Sequence, residues 1–406
     1  MDFAFTPRTV ELAEKITAFM EEHVYPAETV YDAQVAEGDF HEQPQIMKDL
    51  QAEARRQGLW NFAMTHDNLG AGLTNLEYAP LAEIMGRSII GNEVFNCSAP
   101  DTGNMEILAM YGTEEQKNQW LKPLLDCSIR SAFAMTEPWV ASSDAMNVES
   151  SIVRDGDEYV INGRKWFTSG GMDPDCKLLI FMGKSDPDAE PYRQQSMILV
   201  PTDAPGVEIV RDLSSFGYRD RLGHAELQFT DVRVPAANML GNEGDGFAIA
   251  QGRLGPGRMH YAMRAIGIAE RGLQLMCERA QQRSAFGGPL ADQGVVREWI
   301  ARSRMEIDQI RLYTFKAAWL MDTQGNAAAR TEVAAIKVAA MEVAHKVIDR
   351  AVQTWGAAGT TEDTPLARFH SLTRALQIAD GPTEVHLRSI GRGELRKYRH
   401  LRPEKK

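Results

Sequence analysis

From Thr9 to about Met110 apolar residues recur at three- and four-residue spacing, as in VELAEKITAFM and QIMKDLQAEARRQGLW, and this period predicts a helical first third. Turn signals interrupt it at Tyr25-Pro26 and in DNLGAGLTN, where glycine permits the conformations that tight connections need. Between about Phe133 and Pro235 the pattern shortens to the runs SSIV, EYVI, KLLIFM, SMILV, VEIV and AELQF, divided by Asp-Gly, Asn-Gly and proline-containing turns. Such runs predict a middle β segment. Asp155-Gly156 and Asn162-Gly163 suit positive φ, so hairpins are expected on both sides of Tyr159-Val160-Ile161. After about Gly246 the helical period returns, and Val333, Ile336, Ala340, Val343, Val347 and Trp355 fall on one broad apolar face. Small residues are abundant there, which favours close helix packing within a bundle or against another subunit. Helices, then strands, then helices fit neither an alternating parallel-sheet enzyme nor a solenoid.

Composition narrows the class of protein. A chain of 406 residues suggests two or three domains, and 44% apolar with 25% charged residues is ordinary globular usage. The formal net charge of -12 works against nucleic acid or an anionic membrane as a partner, although a local basic cluster can still hold one anionic ligand. The opening MDFAFTPRTVELAEKITAF lacks a basic start followed by an apolar run, and no stretch reaches the roughly 18 apolar residues of a membrane span. A cytoplasmic location is expected. Cys97, Cys127, Cys176 and Cys277 are too widely spaced for a zinc ribbon or a dithiol centre, so no metal site is expected and each reads as a small buried hydrophobe.

Three segments carry candidate chemistry. In the first, Phe133-Ala-Met-Thr-Glu-Pro-Trp-Val-Ala-Ser-Ser-Asp144 is followed by Arg164-Lys-Trp-Phe-Thr-Ser-Gly-Gly171, a combination of hydroxyls, amides and aromatic area suited to a planar polar ring. FAMTEP, SSD and RKWFTSGG together resemble the flavin-binding part of the acyl-CoA dehydrogenase family. The resemblance implies FAD as cofactor, with Phe133, Met135 and Thr136 lining the flavin and Ser143 touching its phosphate or the thioester ligand. It also implies that Trp166 and Thr168 cover the ring's far face and bond its polar edge. Taken alone, the same stretch is a hydrophobic hairpin with Thr and Trp in the core.

The second segment, Gln251-Gly-Arg-Leu-Gly-Pro-Gly-Arg258, reads as a helix start whose glycines free backbone N–H groups for an acyl or pantetheine chain. By resemblance Gly255 and Arg258 belong to the substrate site; alone, Arg258 is equally a salt-bridge partner. Arg283-Ser-Ala-Phe286-Gly resembles the family's RxxF-G turn, which serves the FAD of a neighbouring subunit, with Arg283 on the pyrophosphate. Without the resemblance Phe286 is ordinary bundle core. Gln353-Thr-Trp-Gly356-Ala-Ala-Gly359 resembles a second dinucleotide stretch and, alone, a helix end.

The third segment, Gln377-Ile-Ala-Asp380-Gly381-Pro-Thr-Glu384-Val385, matches the family's catalytic turn. It implies that Asp380 is the catalytic carboxylate, that Gly381 lies in the substrate site and that Glu384 sits near the FAD adenine of a partner subunit. The family usually has glutamate followed by Gly-Thr, so Asp380 is one methylene short and Pro382 replaces a hydroxyl residue. The loop at Trp139-Val140-Ala141 is one residue longer than the family's usual GAG. These departures resemble a subgroup whose acyl substrates can be hydroxylated or otherwise unusual. The competing reading of Asp380 is an N-cap for a helix starting near Pro382.

The implied reaction is α,β-dehydrogenation of an acyl-CoA to a 2-enoyl-CoA, as in fatty-acid β-oxidation, with electrons passing to an electron-transferring flavoprotein or similar acceptor. Asp380 takes the α-proton, the Asp380 N–H and a ribityl hydroxyl stabilise the enolate, and flavin N5 takes the β-hydride. An oxidase of the same fold, similar to nitroalkane oxidases, and a non-catalytic FAD- or CoA-binding protein stay open beside it. The fold implied is α+β and mainly α: an N-terminal helical domain over 1–130, a middle β-barrel domain over 131–241 and a C-terminal four-helix bundle over 242–406. A homotetramer or homodimer is implied by the residues that reach a neighbour's FAD.

Overall fold

The structure is a computed structural model and describes residues 4–65 and 69–402, so Asp67 and Asn68 of the DNLGAGLTN turn lie outside the described residues. Two compact units are present, one of Met1–Tyr25, Leu73–Asn92 and Arg258–Lys406, the other of Pro26–Gly72 and Glu93–Gly257.

The first unit is helical. Its elements start where the sequence supplies caps: Thr6 accepts from Thr9 N ahead of Pro7–Phe19, and Thr74 with Glu77 forms a capping box for Asn75–Gly86. Helix Arg330–Trp355 buries Val333, Ile336, Ala340, Met341, Ala344, Val347, Ile348 and Ala351, and Gly294–Gln324, Leu366–Ala375 and Thr383–Arg396 all pack against it. Glycine sets one crossing. A Cβ on Gly267 of helix Gly246–Gln282 would sit 2.1 Å from the Glu83 carbonyl oxygen, and one on Gly86 of Asn75–Gly86 2.7 Å from the Arg264 Cα, so each of these two helices presents a glycine to the other's backbone. Arg311 clamps the same region, holding both Glu83 carboxylate oxygens at 2.9 Å.

The second unit is built on one eight-stranded sheet: β1 Arg130–Ala134, β2 Ser151–Asp155, β3 Glu158–Ser169, β4 Cys176–Lys184, β5 Gln195–Pro201, β6 Val207–Asp212, β7 His224–Pro235 and β8 Met239–Leu240. The order is β6-β7-β3-β2-β4-β5-β8, with β1 parallel to β4. β2 and β4 share the single pair Ser151 and Lys184, so the expected barrel is a sheet whose two halves meet at one point. β4 is buried on both faces. Leu179 and Phe181 join Ile161, Ile198 and Phe229 on one side, while Leu178, Ile180 and Met182 join Met105, Leu108 and Trp120 on the other.

Two turn expectations do not hold. Asn162-Gly163 is no hairpin: β3 runs straight through it, with a register shift against β7 between Ile161 and Gly163, because Gly163 (φ 149°) passes so close to Ser150 that a Cβ would lie 2.1 Å from its Oγ. Tyr25-Pro26 is helical: the π turn Met20–Val24 runs into Tyr25–Glu37 without a break, and the widened bonding of that turn accommodates the proline. Asp155-Gly156 does turn, between β2 and β3.

Candidate functional site

In the sheet unit, Phe133 lies on β1, and Met135 and Thr136 follow it, all half-buried. The Arg253 guanidinium lies 4.1 Å from the Phe133 ring centre, and its Nε donates to Asn104 Oδ1 at 2.9 Å. Thr136 and Trp166 are locked to each other: the Thr136 hydroxyl donates to the Trp166 carbonyl at 2.6 Å and the Trp166 N–H returns a bond to the Thr136 carbonyl at 3.0 Å. The Thr136 hydroxyl proton is thus committed, which leaves its lone pairs for a ligand N–H. Beyond Trp166 the strand breaks register between Lys165 and Thr168, with Phe167 at φ 47°. This bulge turns Thr168 inward, where its Oγ1 is buried and unpartnered among the described residues. An orphaned hydroxyl beside a locked Thr136–Trp166 pair fits a cofactor with polar ring edges.

Beneath this strip lies a buried ion pair that sequence reasoning missed. Lys165 Nζ reaches Glu137 Oε1 at 2.7 Å, the Met182 carbonyl at 2.7 Å and the Met135 carbonyl at 3.0 Å, so all three ammonium protons are used. Glu137 accepts from the amides of Glu149 (2.8 Å) and Ser150 (3.0 Å). Burial alone would raise its carboxyl, but Lys165 and these donors outweigh burial and hold it below the usual carboxylate range. The Glu137 amide in turn donates to Ser142 Oγ at 2.8 Å. Ser142 therefore ties down the loop, while Ser143 is exposed, as is Trp139 in the longer segment.

Gly255 requires a correction. Gly252, Gly255 and Gly257 lie inside helix Gly246–Gln282, with Pro256, so they do not open it and their amides are not those of a helix start. The apolar period continues through buried Ile249, Ala250, Met259, Ala262 and Met263 and keeps the segment helical.

In the helical unit, Asp380 stands in a tight turn ahead of helix Thr383–Arg396, at φ 54°, followed by Gly381 at φ 102°. The N-cap position is Pro382, and no side chain caps the helix, so Asp380 is not the cap. The Asp380 carbonyl accepts from Arg258 Nε at 3.1 Å and lies 3.3 Å from His386 Nε2. Its amide N–H has no acceptor among the described residues. Lys337 Nζ donates to the Leu376 carbonyl at 2.6 Å, just upstream. Burial lowers the Lys337 ammonium to about 8, with the Asp380 carboxylate pulling the other way. Burial, then Arg258 and Lys337, push the His386 imidazole down to about 4. Lys337 and His386 escaped the sequence reading because a lone lysine in an otherwise apolar stretch of its helix and a lone histidine on a polar helix both read as solvated side chains.

The remaining candidates are on the surface of the same unit. Arg283 precedes a hairpin of Ser284–Ala285 and Gly288–Pro289 whose tip is Phe286 (φ 52°) and Gly287 (φ 86°). Phe286 is 99% exposed, so it is not bundle core. Gln353, Gly356 and Glu384 are exposed too. Among the described residues no group of three or more His, Cys, Asp or Glu could hold a metal ion, and no helix is long and apolar enough to cross a membrane.

Comparison with known proteins decides the family. Models described as the N-terminal, middle and C-terminal domains of acyl-CoA dehydrogenase match residues 6–128, 132–232 and 244–395. "Probable acyl-CoA dehydrogenase FadE2" of Mycobacterium tuberculosis is 58% identical over 398 residues, 97% of each chain. The chain belongs to the acyl-CoA dehydrogenase family. As such it is an oxidoreductase of a family of FAD-dependent flavoproteins. "Acyl-CoA dehydrogenase family member 10" of Mus musculus is 53% identical over 397 residues, which is 96% of this chain but 37% of the mouse protein, so the chain spans about a third of that relative. The structure of a family homologue from Mycobacterium abscessus superposes with a TM-score of 0.95 at 48% identity, over 98% of this chain and 100% of that one. The fold is that of the family: helical at both ends, with a sheet between.

Proposed function

We propose that this acyl-CoA dehydrogenase converts an acyl-CoA thioester to its 2-enoyl-CoA, with Asp380 as the base that takes the α-proton. One observation carries the reading. A single left-handed residue offers both a carboxylate and an amide N–H with no acceptor among the described residues, while its carbonyl is held from behind by Arg258. An α-proton next to a thioester is too weakly acidic for a carboxylate alone, so a donor must meet the charge that develops on the thioester oxygen. The Asp380 N–H is such a donor, placed on the residue that removes the proton. Arg258 reaches this turn from helix Gly246–Gln282 and orients the acyl-CoA against it.

FAD, held along Phe133, Met135, Thr136, Trp166 and Thr168, supplies the acceptor for the hydride that leaves the β carbon. Thr168 Oγ1 has the free hydroxyl to bond the ring edge, and the Lys165–Glu137 pair keeps the Met135–Glu137 backbone in place. Exposed Arg283, Phe286, Gln353, Gly356 and Glu384 suit contact with a cofactor held by a second copy of this chain, and reducing equivalents leave to an electron-transferring flavoprotein or similar acceptor. Ser143 and Gly381 complete the substrate contacts. The test is Asp380→Asn. The variant is expected to purify with FAD but to lose anaerobic thioester-dependent bleaching by about 10²-fold or more, the scale of a lost general base. Bleaching at the wild-type rate would reassign the base, and peroxide released with nitroalkanes would favour an oxidase.

A further inference from the structure

Helix Thr383–Arg396 buries one side chain, and it is a histidine. Leu387 and Leu395 of the same helix are 51% and 65% exposed, while His386 is 4% exposed, so an apolar-face account of this helix puts the wrong residue inside. The buried ring faces the Asp380 turn. Its Nε2 is 3.3 Å from the Asp380 carbonyl oxygen, and a Cβ built on Gly381 would lie 2.8 Å from the same nitrogen. The imidazole thus fills the space under the two left-handed residues, Asp380 and Gly381.

We infer that His386 is a positioning residue for the reaction: its Nε2–H donates to the Asp380 carbonyl and, with Arg258, holds the Asp380 turn in the conformation that aims its carboxylate and amide. This rests on the reading of Asp380 as the base. A carbonyl oxygen has two lone pairs, and here Arg258 Nε at 3.1 Å and His386 Nε2 take one each. Because a carbonyl can only accept, the proton on the ring must be on Nε2. Burial, and after it the neighbouring charges of Arg258 and Lys337, disfavour a second ring proton, which keeps the ring a neutral single donor. Lys337 fixes the Leu376 carbonyl on the upstream side, so carbonyls before and at Asp380 are both pinned by side-chain N–H groups. Gly381 follows from the same packing, since any side chain there would collide with the ring as well as resist φ 102°.

The experiment uses the FAD-loaded enzyme and the acyl-CoA that bleaches it best. His386→Phe keeps the ring's bulk and removes the donor; His386→Gln replaces the donor without the ring. His386→Phe is expected to lower kcat by about 10²-fold, the scale of a misplaced reacting group, with KM nearly unchanged and FAD content intact, and His386→Gln to recover most of that loss. Exchange of substrate α-protons with deuterated solvent, run beside Asp380→Asn, separates the two claims. Loss in Asp380→Asn with wild-type exchange and kcat in His386→Phe overturns the role of His386 alone, and retained exchange in Asp380→Asn overturns the base itself. Independently of turnover, ¹⁵N-histidine NMR of wild type at pH 6 is expected to show a neutral His386 ring protonated on Nε2. A doubly protonated ring or the Nδ1–H tautomer overturns the inference even if His386→Phe fails to fold.

Discussion

Replacing Lys165 by methionine tests whether the Met135–Thr136 strip proposed to hold FAD depends on the ion pair beneath it. Lys165 is 0% exposed and spends its three protons on Glu137, Met135 and Met182, so Lys165→Met strands one buried carboxylate and two buried carbonyls. Removing one member of a buried pair costs about 3–5 kcal/mol. Glu137 keeps its bonds from the Glu149 and Ser150 amides, which places the expected loss at the lower end, roughly 3 kcal/mol. Glu137→Gln leaves a buried ammonium without its counter-ion and is expected to cost a similar amount. The double variant removes both charges and is expected to lose clearly less than the sum of the two, the signature of coupled partners. The sign with pH is fixed by Glu137: its depressed carboxyl stabilises the fold above the ordinary carboxylate range and loses that contribution as pH falls through its lowered value. Lys165→Met should move this acid loss to higher pH. Urea unfolding of the four proteins at pH 7 and pH 5, with FAD affinity measured in parallel, reads the effect. Because Met135 and Thr136 move with the pair, FAD should bind at least about tenfold more weakly in Lys165→Met, equivalent to about 1.4 kcal/mol. Stability within 1 kcal/mol of wild type together with unchanged FAD affinity would refute the reasoning.

Thr168→Val should weaken FAD binding by up to about tenfold, the value of one hydrogen bond, while Thr168→Ser should not; equal affinities by fluorescence titration would show that the orphaned hydroxyl meets no cofactor atom. His260, packed edge-on to Tyr78 and shifted by burial to about 4, should stabilise the fold fully above its ordinary value of 6.5 and lose that contribution as pH falls toward 4. His260→Phe should therefore flatten the stability profile between those values, and parallel acid profiles for the two proteins would count against it.

The order of helices, sheet and helices was legible because the two periods differ and each segment is long enough to express one. Inside β3 the same rule goes further than its residues suggest. Tyr159, Ile161 and Lys165 share the inward parity, yet a lysine at an inward position reads as an error unless its counter-ion is known. Glu137 supplies it from a distant loop, and neither residue type nor spacing links the two. The bulge after Lys165 is equally silent, since Trp166 and Phe167 look like ordinary strand residues until Phe167 takes a positive φ and Thr168 turns inward. Glycines misled in the opposite direction. Gly255-Pro256-Gly257 carries every sign of a helix boundary, but buried residues on both sides outweigh a local cost of a few kcal/mol.

With Asp380 as the proposed base, an aspartate in place of the glutamate that the resemblance implies suits the turn that holds it. The backbone there is left-handed, a conformation that aspartate and asparagine adopt more readily than other side chains because a short polar arm can bond locally. A glutamate would reach one methylene further but lose that ease. The shorter arm therefore shifts the task of reach from the side chain to the backbone, and the backbone is where this chain concentrates its contacts: Arg258 and His386 at the Asp380 carbonyl, Lys337 at Leu376, and a glycine next in line that nothing larger can replace. On this account Asp380→Glu is not conservative. It lengthens the base in a turn already fixed at both ends, so the carboxylate overshoots and activity falls even though the chemistry of the group is unchanged.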